Sequence, residues 1–139
     1  MLCLDTNALI GILNGRPEAV RRHLAAALAE GEQVTVSSIV LFELWYGAAK
    51  SARPALNAER IRTFLSGQIE ILPFEPEDAK EAGTLRATLE KTGTPIGPFD
   101  VLIAAQALRR QAAIVTANAG EFGRVPGLVR LDWSQDRNG

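Results

Sequence analysis

Met1-Leu2-Cys3-Leu4-Asp5-Thr6-Asn7, followed by Ala8-Leu9-Ile10-Gly11-Ile12-Leu13, is the stretch on which the fold turns. Four apolar residues run into an acid and two small polar residues, and a second apolar run follows. A continuous apolar run of strand length, bounded by turn and cap residues, fits a strand buried on both faces. Thr6 and Asn7 are good capping types, so a helix is expected to start there. Asp5 then stands at the carboxyl end of a buried strand, where open α/β sheets place their ligands. It is the only charged residue before Gly15. A lone carboxylate in such surroundings costs several kcal/mol unless something compensates it. Capping of the next helix is one such compensation. A shared cation is another.

Outward from that stretch, strands and helices alternate. Glu18 to Glu30 reads as an amphipathic helix with Val20, Leu24 and Leu28 on one face, and His23 off that face as an ordinary surface histidine. Gln33-Val34-Thr35-Val36 is a short strand rich in β-branched residues. Ser37-Ser38 caps a helix from Ile39 to about Lys50, and Asn57 to Ser66 forms another. Ile69 to Leu72 alternates as a strand should. The acids Glu75, Glu77 and Asp78 open the next helix, as the macrodipole favours. A stiff loop, Thr92 to Pro98, precedes an apolar helix ending at Arg109-Arg110. Ala112 to Thr116 is a strand, Thr116 to Phe122 a polar turn, and Leu128 to Leu131 a last strand. Asp132 to Gly139 is polar, anchored by Trp133, and expected to fray. This order implies an α/β fold in one domain, residues 1–139, with a mainly parallel sheet covered by helices on both faces.

The 139 residues are 47% hydrophobic and 22% charged, which excludes a disordered chain. Fifteen basic and sixteen acidic side chains leave a net charge of -1, so any nucleic-acid binding must come from local clustering of cations. One cysteine excludes an intrachain disulfide and suits a reducing, cytoplasmic compartment. One histidine excludes a multi-histidine zinc site. Neither a signal peptide nor a membrane span is expected.

Two more acids stand alone as Asp5 does. Glu43 is the only charge in Ile39-Val40-Leu41-Phe42-Glu43-Leu44-Trp45-Tyr46-Gly47-Ala48-Ala49, and Asp100 the only one between Lys91 and Arg109. Each has an ordinary explanation: Glu43 on an exposed strip, Asp100 as a first-turn acid. Three separately buried acids would carry three penalties, whereas convergence lets one divalent cation offset all of them. Oxygen ligands without histidine or thiolate point to Mg²⁺ or Mn²⁺. Such an ion suits a phosphate substrate. No Gly-rich loop followed by Lys is present, which argues against P-loop chemistry.

Leu4-Asp5-Thr6-Asn7, Phe42-Glu43-Leu44-Trp45-Tyr46-Gly47, Asp100-Val101-Leu102-Ile103-Ala104-Ala105-Gln106-Ala107 and Thr116-Ala117-Asn118-Ala119-Gly120-Glu121-Phe122 resemble, in order, the four signatures of PIN-domain ribonucleases, above all the VapC-type toxins of prokaryotic toxin–antitoxin pairs. The resemblance implies a three-layer sandwich with a sheet of about four to five strands. It implies Mg²⁺- or Mn²⁺-dependent hydrolysis of RNA, tRNA or another structured RNA, with Asp5, Glu43 and Asp100 holding the metal. It also implies a homodimer and silencing by a VapB-type antitoxin whose tail occupies the active-site groove, with DNA contacted only through that antitoxin. Many members carry a fourth acid where this chain has Asn118, so Asn118 is expected at the catalytic centre without its charge. Thr6, Asn7, Thr116 and Glu121 are expected just behind it, and Lys50, Arg53, Arg60, Arg62, Arg109 and Arg110 are the candidates for RNA phosphates. Trp45, Tyr46 and the helix from Leu56 to Leu65 are expected to line the antitoxin groove.

Other readings remain open at this point. One is a nuclease of the same fold in RNA processing or on branched DNA. Another is an RNA-binding module that has lost turnover, which Asn118 favours. A receiver-type signalling domain should have a Lys after its late strand, and none follows Ile114-Val115-Thr116.

Overall fold

A computed structural model describes residues 1–135. Five short strands, β1 (Leu2–Leu4), β2 (Val34–Ser37), β3 (Glu70–Leu72), β4 (Ala113–Val115) and β5 (Arg130–Leu131), form one sheet in the order β3-β2-β1-β4-β5. Every pairing is parallel, with Leu4 opposite Val36 on one side and Val115 on the other. Parallel neighbours need crossover connections, and seven helices supply them: α1 (Thr6–Asn14), α2 (Glu18–Ala29), α3 (Ser38–Lys50), α4 (Pro54–Leu65), α5 (Pro76–Lys91), α6 (Pro98–Arg109) and α7 (Ala119–Phe122). β1 is central and fully buried, as its unbroken apolar run requires. Its Leu4 meets Val36, Val40, Ile103, Ile114 and Val115 in a core that takes in residues from every helix.

The order of strands sets where a ligand goes. β1 connects to β2 on one side, and the chain returns to β4 on the other, so the sheet reverses direction at β1. A crevice opens beyond the carboxyl ends of strands at such a point. Asp5 is the first residue past β1, Ser37 ends β2, and Thr116 follows β4. The signature residues thus emerge at one end of the sheet.

Several local expectations need correction. Asp5 is itself the N-cap of α1, its side chain accepting the Ala8 N–H at 2.7 Å, so Thr6 is the first helical residue. Gly15 closes α1 in the left-handed region at φ 68°, a conformation that side chains with a Cβ resist. α4 begins at Pro54 and not at Asn57, because proline is well suited to a first helical position. The polar turn after β4 contains the short helix α7, capped by Asn118. Asp132–Gln135 does not fray: Trp133 is buried and stacks on His23, which also hydrogen-bonds the Gln135 carbonyl at 2.6 Å. The remainder of the expected tail, residues 136–139, lies outside the described residues. No helix among those residues is long and apolar enough to cross a membrane.

Candidate active site

Asp5 is 4% exposed at the end of β1. Burial pushes its carboxyl above the usual range. Hydrogen bonds from the Thr116 hydroxyl and the Ala8 amide pull the other way, and the charges of Glu43 and Asp132 add to the rise. Thr116 is buried and has a double role. Its Oγ1 accepts the Asn118 N–H at 2.9 Å while its hydroxyl bonds Asp5. The first strand's acid is thereby tied to the turn after β4.

Glu43 reaches the same place from α3. Its Oε1 accepts the Thr6 hydroxyl at 2.6 Å, a charge-assisted bond that fixes its direction over the start of α1. The nearly all-apolar composition of α3 buries Val40, Leu44 and Ala48 against the sheet, leaving Glu43 half-buried at the crevice. Asn7 is exposed on the first turn of α1 and shares a small recess with Thr116 and Asp132.

Asp100 comes from the first turn of α6. Its pKa is pushed up to about 7, first by burial, then by hydrogen bonding and charge from Glu121, then by the charges of Glu43 and Asp5. Glu121 moves the opposite way: its contact with Asp100 lowers it against a cost of burial, helped by the Gly97 N–H, Asn118 and Arg124. Two carboxylates in such contact hold one proton between them. The charges of Asp5, Glu43 and Glu121 thus all bear on Asp100, although the four residues come from different parts of the chain.

Asn118 and Glu121 are bonded to each other. Asn118 Oδ1 accepts the Glu121 N–H at 3.1 Å, and its Nδ2 donates to Glu121 Oε2 at 3.4 Å. Its amide is spent on capping α7 and aiming Glu121. Glu121 is the residue that touches Asp100. The sequence signal for this was the spacing Asn-x-x-Glu at a helix start, in which the fourth residue faces back toward the cap.

The basic candidates separate. Lys50 lies with its Nζ 4.7 Å from the Tyr46 ring centroid, Arg53 is exposed at the start of α4, and Arg60 borders a recess that also contains Glu43. Arg62 covers Trp45 and pairs with Glu59. Arg109 and Arg110 are both engaged with acids of α5 and its cap. Arg109 Nε meets Asp78 Oδ1 at 2.7 Å, Arg110 Nη1 meets the same oxygen at 2.8 Å, and both reach Glu75. Buried Asp78 claims them because it has no other countercharge.

A groove of about 1030 Å³ runs between α1, α2 and α4, floored by Ile12, Leu24, Leu28 and Phe64 and edged by Arg16 and Arg60. A smaller recess of about 240 Å³ shares Leu13, Asn14 and Arg60 with it and ends at Glu43. Helix α4 lines this groove through Leu56, Arg60, Thr63 and Phe64. Trp45 and Tyr46 do not line either space: consecutive helical residues point about 100° apart, and Trp45 packs half-buried under Arg62 while Tyr46 faces solvent with Phe42.

The donor set is all oxygen, which fits Mg²⁺ or Mn²⁺ and not zinc. As arranged, no three acidic, histidine or cysteine side chains among the described residues are drawn tightly enough to enclose an ion. That suits an ion held by one or two carboxylates with water completing its shell. The upward push on Asp100, from burial and from the charges of Glu121, Glu43 and Asp5, marks where positive charge is wanted.

A parallel α/β sheet with an acidic cluster at its switch point defines a phosphodiesterase-type site. PIN domain is the family that matches, over residues 2–128. The chain belongs to the PIN-domain family, on its VapC branch. It is 42% identical over 131 residues to the tRNA(fMet)-specific endonuclease VapC of Shigella flexneri, covering 94% of this chain and 96% of that one. It is 38% identical over 130 residues to the protein of the same name from Salmonella typhimurium, with the same coverages. Among solved structures, the DNA-bound VapBC of Salmonella typhimurium superposes with a TM-score of 0.87 at 38% identity, covering 95% of this chain and 97% of that one. VapBC2 of Rickettsia felis, bound to a promoter DNA fragment, superposes with a TM-score of 0.86 at 36% identity, covering 93% and 96%.

Proposed function

We propose that this protein is a Mg²⁺- or Mn²⁺-dependent endoribonuclease toxin, acting in the cytoplasm on tRNA and held inactive by a VapB-type antitoxin. One observation carries the reading: four carboxylates from β1, α3, α6 and α7 converge, with Asp100 displaced to about 7 by its neighbours. The relatives named VapC endonucleases support RNA as the substrate, and the VapBC complexes support the antitoxin.

Asp5 and Asp100 would hold the ion, with water completing its shell and Glu43 and Glu121 beside it. There a divalent cation would supply charge for a phosphoryl oxygen and a lowered pKa for a water. The chain's own residues prepare for this. Thr116 and the Ala8 amide fix the Asp5 carboxylate. Thr6 holds Glu43 so that its free oxygen can take a proton from an attacking water. Asn118 and the Gly97 amide aim Glu121. Arg60 stands where it can neutralise a phosphate beside the crevice.

The groove between α1, α2 and α4 is apolar along its floor and leads to Glu43, which fits an antitoxin helix with an extension reaching the active site. Glu121 supplies the charge that Asn118 lacks, which removes the support for a module without turnover. The test is cleavage of total RNA by wild type and Asp5→Asn, each with Mg²⁺ and with chelator. Cleavage confined to wild type with Mg²⁺ supports the reading. Equal cleavage in all four samples refutes it.

A further inference from the structure

Three of the chain's aromatic rings are spent on one exposed patch beside the acids. Phe42 is 54% exposed, Tyr46 58% and Phe99 42%. The Phe42 and Tyr46 centroids are 6.5 Å apart with planes at 15°, and Phe42 and Phe99 are 5.5 Å apart at 48°. Phe42 and Tyr46 share one face of α3 because they are four residues apart, and Lys50 follows after four more. Phe99 comes from the first turn of α6. The patch bridges the two helices that carry Glu43 and Asp100. Each phenylalanine directly precedes one of those acids.

Core packing does not explain the patch, since all three rings keep about half their surface in water. Nor is it large enough to be a complete protein interface. Three half-exposed rings present roughly 300 Å², against about 800 Å² per partner in a stable complex. An exposed aromatic cluster, with Phe99 tilted against Phe42 and the Lys50 ammonium 4.7 Å from the Tyr46 centroid, has the composition of a single-stranded nucleic-acid platform, where bases stack and a cation meets the backbone.

We propose that Phe42, Phe99 and Tyr46 form a stacking platform for an unpaired RNA base next to the scissile phosphate, with Lys50 taking a neighbouring phosphate. This rests on the reading of the acidic cluster as an RNA-cleaving site. A base laid on Phe42 and Phe99 brings its own backbone to the edge of the crevice between Glu43 and Asp100. The platform therefore selects unpaired segments, because a base inside a duplex offers no free face.

The test is fluorescence anisotropy of a short fluorescein-labelled single-stranded RNA in chelator, where the metal-dependent reaction is off. Wild type, Phe42→Ala, Phe99→Ala and Phe42→Trp are compared, and the titration is repeated with a strand whose central sugars are abasic. The alanine variants should bind the intact strand about tenfold or more weakly, Phe42→Trp should bind as wild type does, and the abasic strand should bind weakly to all four. Melting temperatures should be unchanged, because the rings are not core. Wild-type affinity in both alanine variants overturns the proposal, as does equal affinity of wild type for the intact and abasic strands. A shift from dimer to monomer in light scattering of the alanine variants also overturns it, assigning the patch to contact between copies. Cleavage of the same RNA by wild type in Mg²⁺ is scored separately, so failure of the nuclease reading is distinguishable from failure of the platform.

Discussion

Asp78→Asn should destabilise the protein by about 2–3 kcal/mol at pH 7 without touching the active site. Two routes lead to that figure. Asp78 is fully buried and accepts bonds from Arg109, Arg110 and the Glu75 amide. Removing one partner of a buried ion pair costs about 3–5 kcal/mol. A value at or somewhat below the bottom of that range is appropriate, because the Arg109 side chain is 31% exposed and both arginines keep Glu75. The second route is the proton equilibrium. Burial raises the Asp78 carboxyl, but the Arg110, Glu75 and Arg109 bonds overcome it and hold the group at about 2 against an ordinary 3.8. At about 1.4 kcal/mol per unit this is about 2.5 kcal/mol. The folded pKa is the depressed one, so the contribution is present above about pH 4 and is lost as pH falls toward 2. Urea denaturation of both proteins from pH 7 down to pH 2.5 is the assay. The gap should be full at pH 7, worth on the order of 6–10 °C in melting temperature, and should close in acid. RNA cleavage well below the melting temperature should be unchanged, since Arg110 lies ten residues along α6 from Asp100, about 15 Å. A gap below about 0.5 kcal/mol, or one that persists undiminished at pH 2.5, would refute the assignment of this network as the anchor between α5 and α6.

Three further outcomes are expected. Asp5→Asn, Glu43→Gln and Asp100→Asn should each remove most cleavage, and pairs of them should lose far less than the product of the single losses, as groups acting as a unit do; single-turnover rates check this. A Cβ at Gly97 would stand 3.1 Å from Asp100 Oδ2 and 3.6 Å from Glu121 Oε2. The backbone there, at φ -55°, accepts any residue, so Gly97→Ala should melt in chelator at or slightly above the wild-type temperature while cleaving at least about tenfold more slowly, a loss of about 1.4 kcal/mol. Leu24→Glu places a charge on the floor of the groove between α1, α2 and α4. It should weaken antitoxin binding by about 2 kcal/mol or more and leave cleavage by the free protein intact, as calorimetric titration with the antitoxin and an RNA assay would show.

The legible parts of the sequence were those in which one residue contradicted its neighbours. A carboxylate inside an apolar run is visible without a partner, and Asp5, Glu43 and Asp100 all have that form. The unbroken apolar run of β1 announced a central parallel strand for the same reason. What the sequence concealed was contact between elements. The spacing from Asn118 places Glu121 near the centre, but its direct contact with Asp100 appears only in the fold. Arg109 and Arg110 look like phosphate ligands at a helix end, and only the buried Asp78, 31 residues before Arg109, shows that they are already occupied. Trp45 and Tyr46 are adjacent in sequence yet face different neighbours, because a helix turns them apart. α7 was missed because four residues give no periodicity to read.

Convergence of the acids predicts that they bind a divalent cation. The most direct measurement is thermal melting of wild type and Asp100→Asn in chelator and in Mg²⁺. The Asp100 pKa is raised to about 7 from 3.8 in the fold. Metal-free wild type should therefore lose stability relative to the variant as pH rises from about 4 to 7, and at pH 7.5 the variant should melt at the same temperature or higher. Mg²⁺ at a hundred times its dissociation constant should stabilise wild type by about 2.7 kcal/mol, and the variant much less. A rise confined to wild type is the predicted result. An equal response in both proteins, or none in wild type, would contradict the claim.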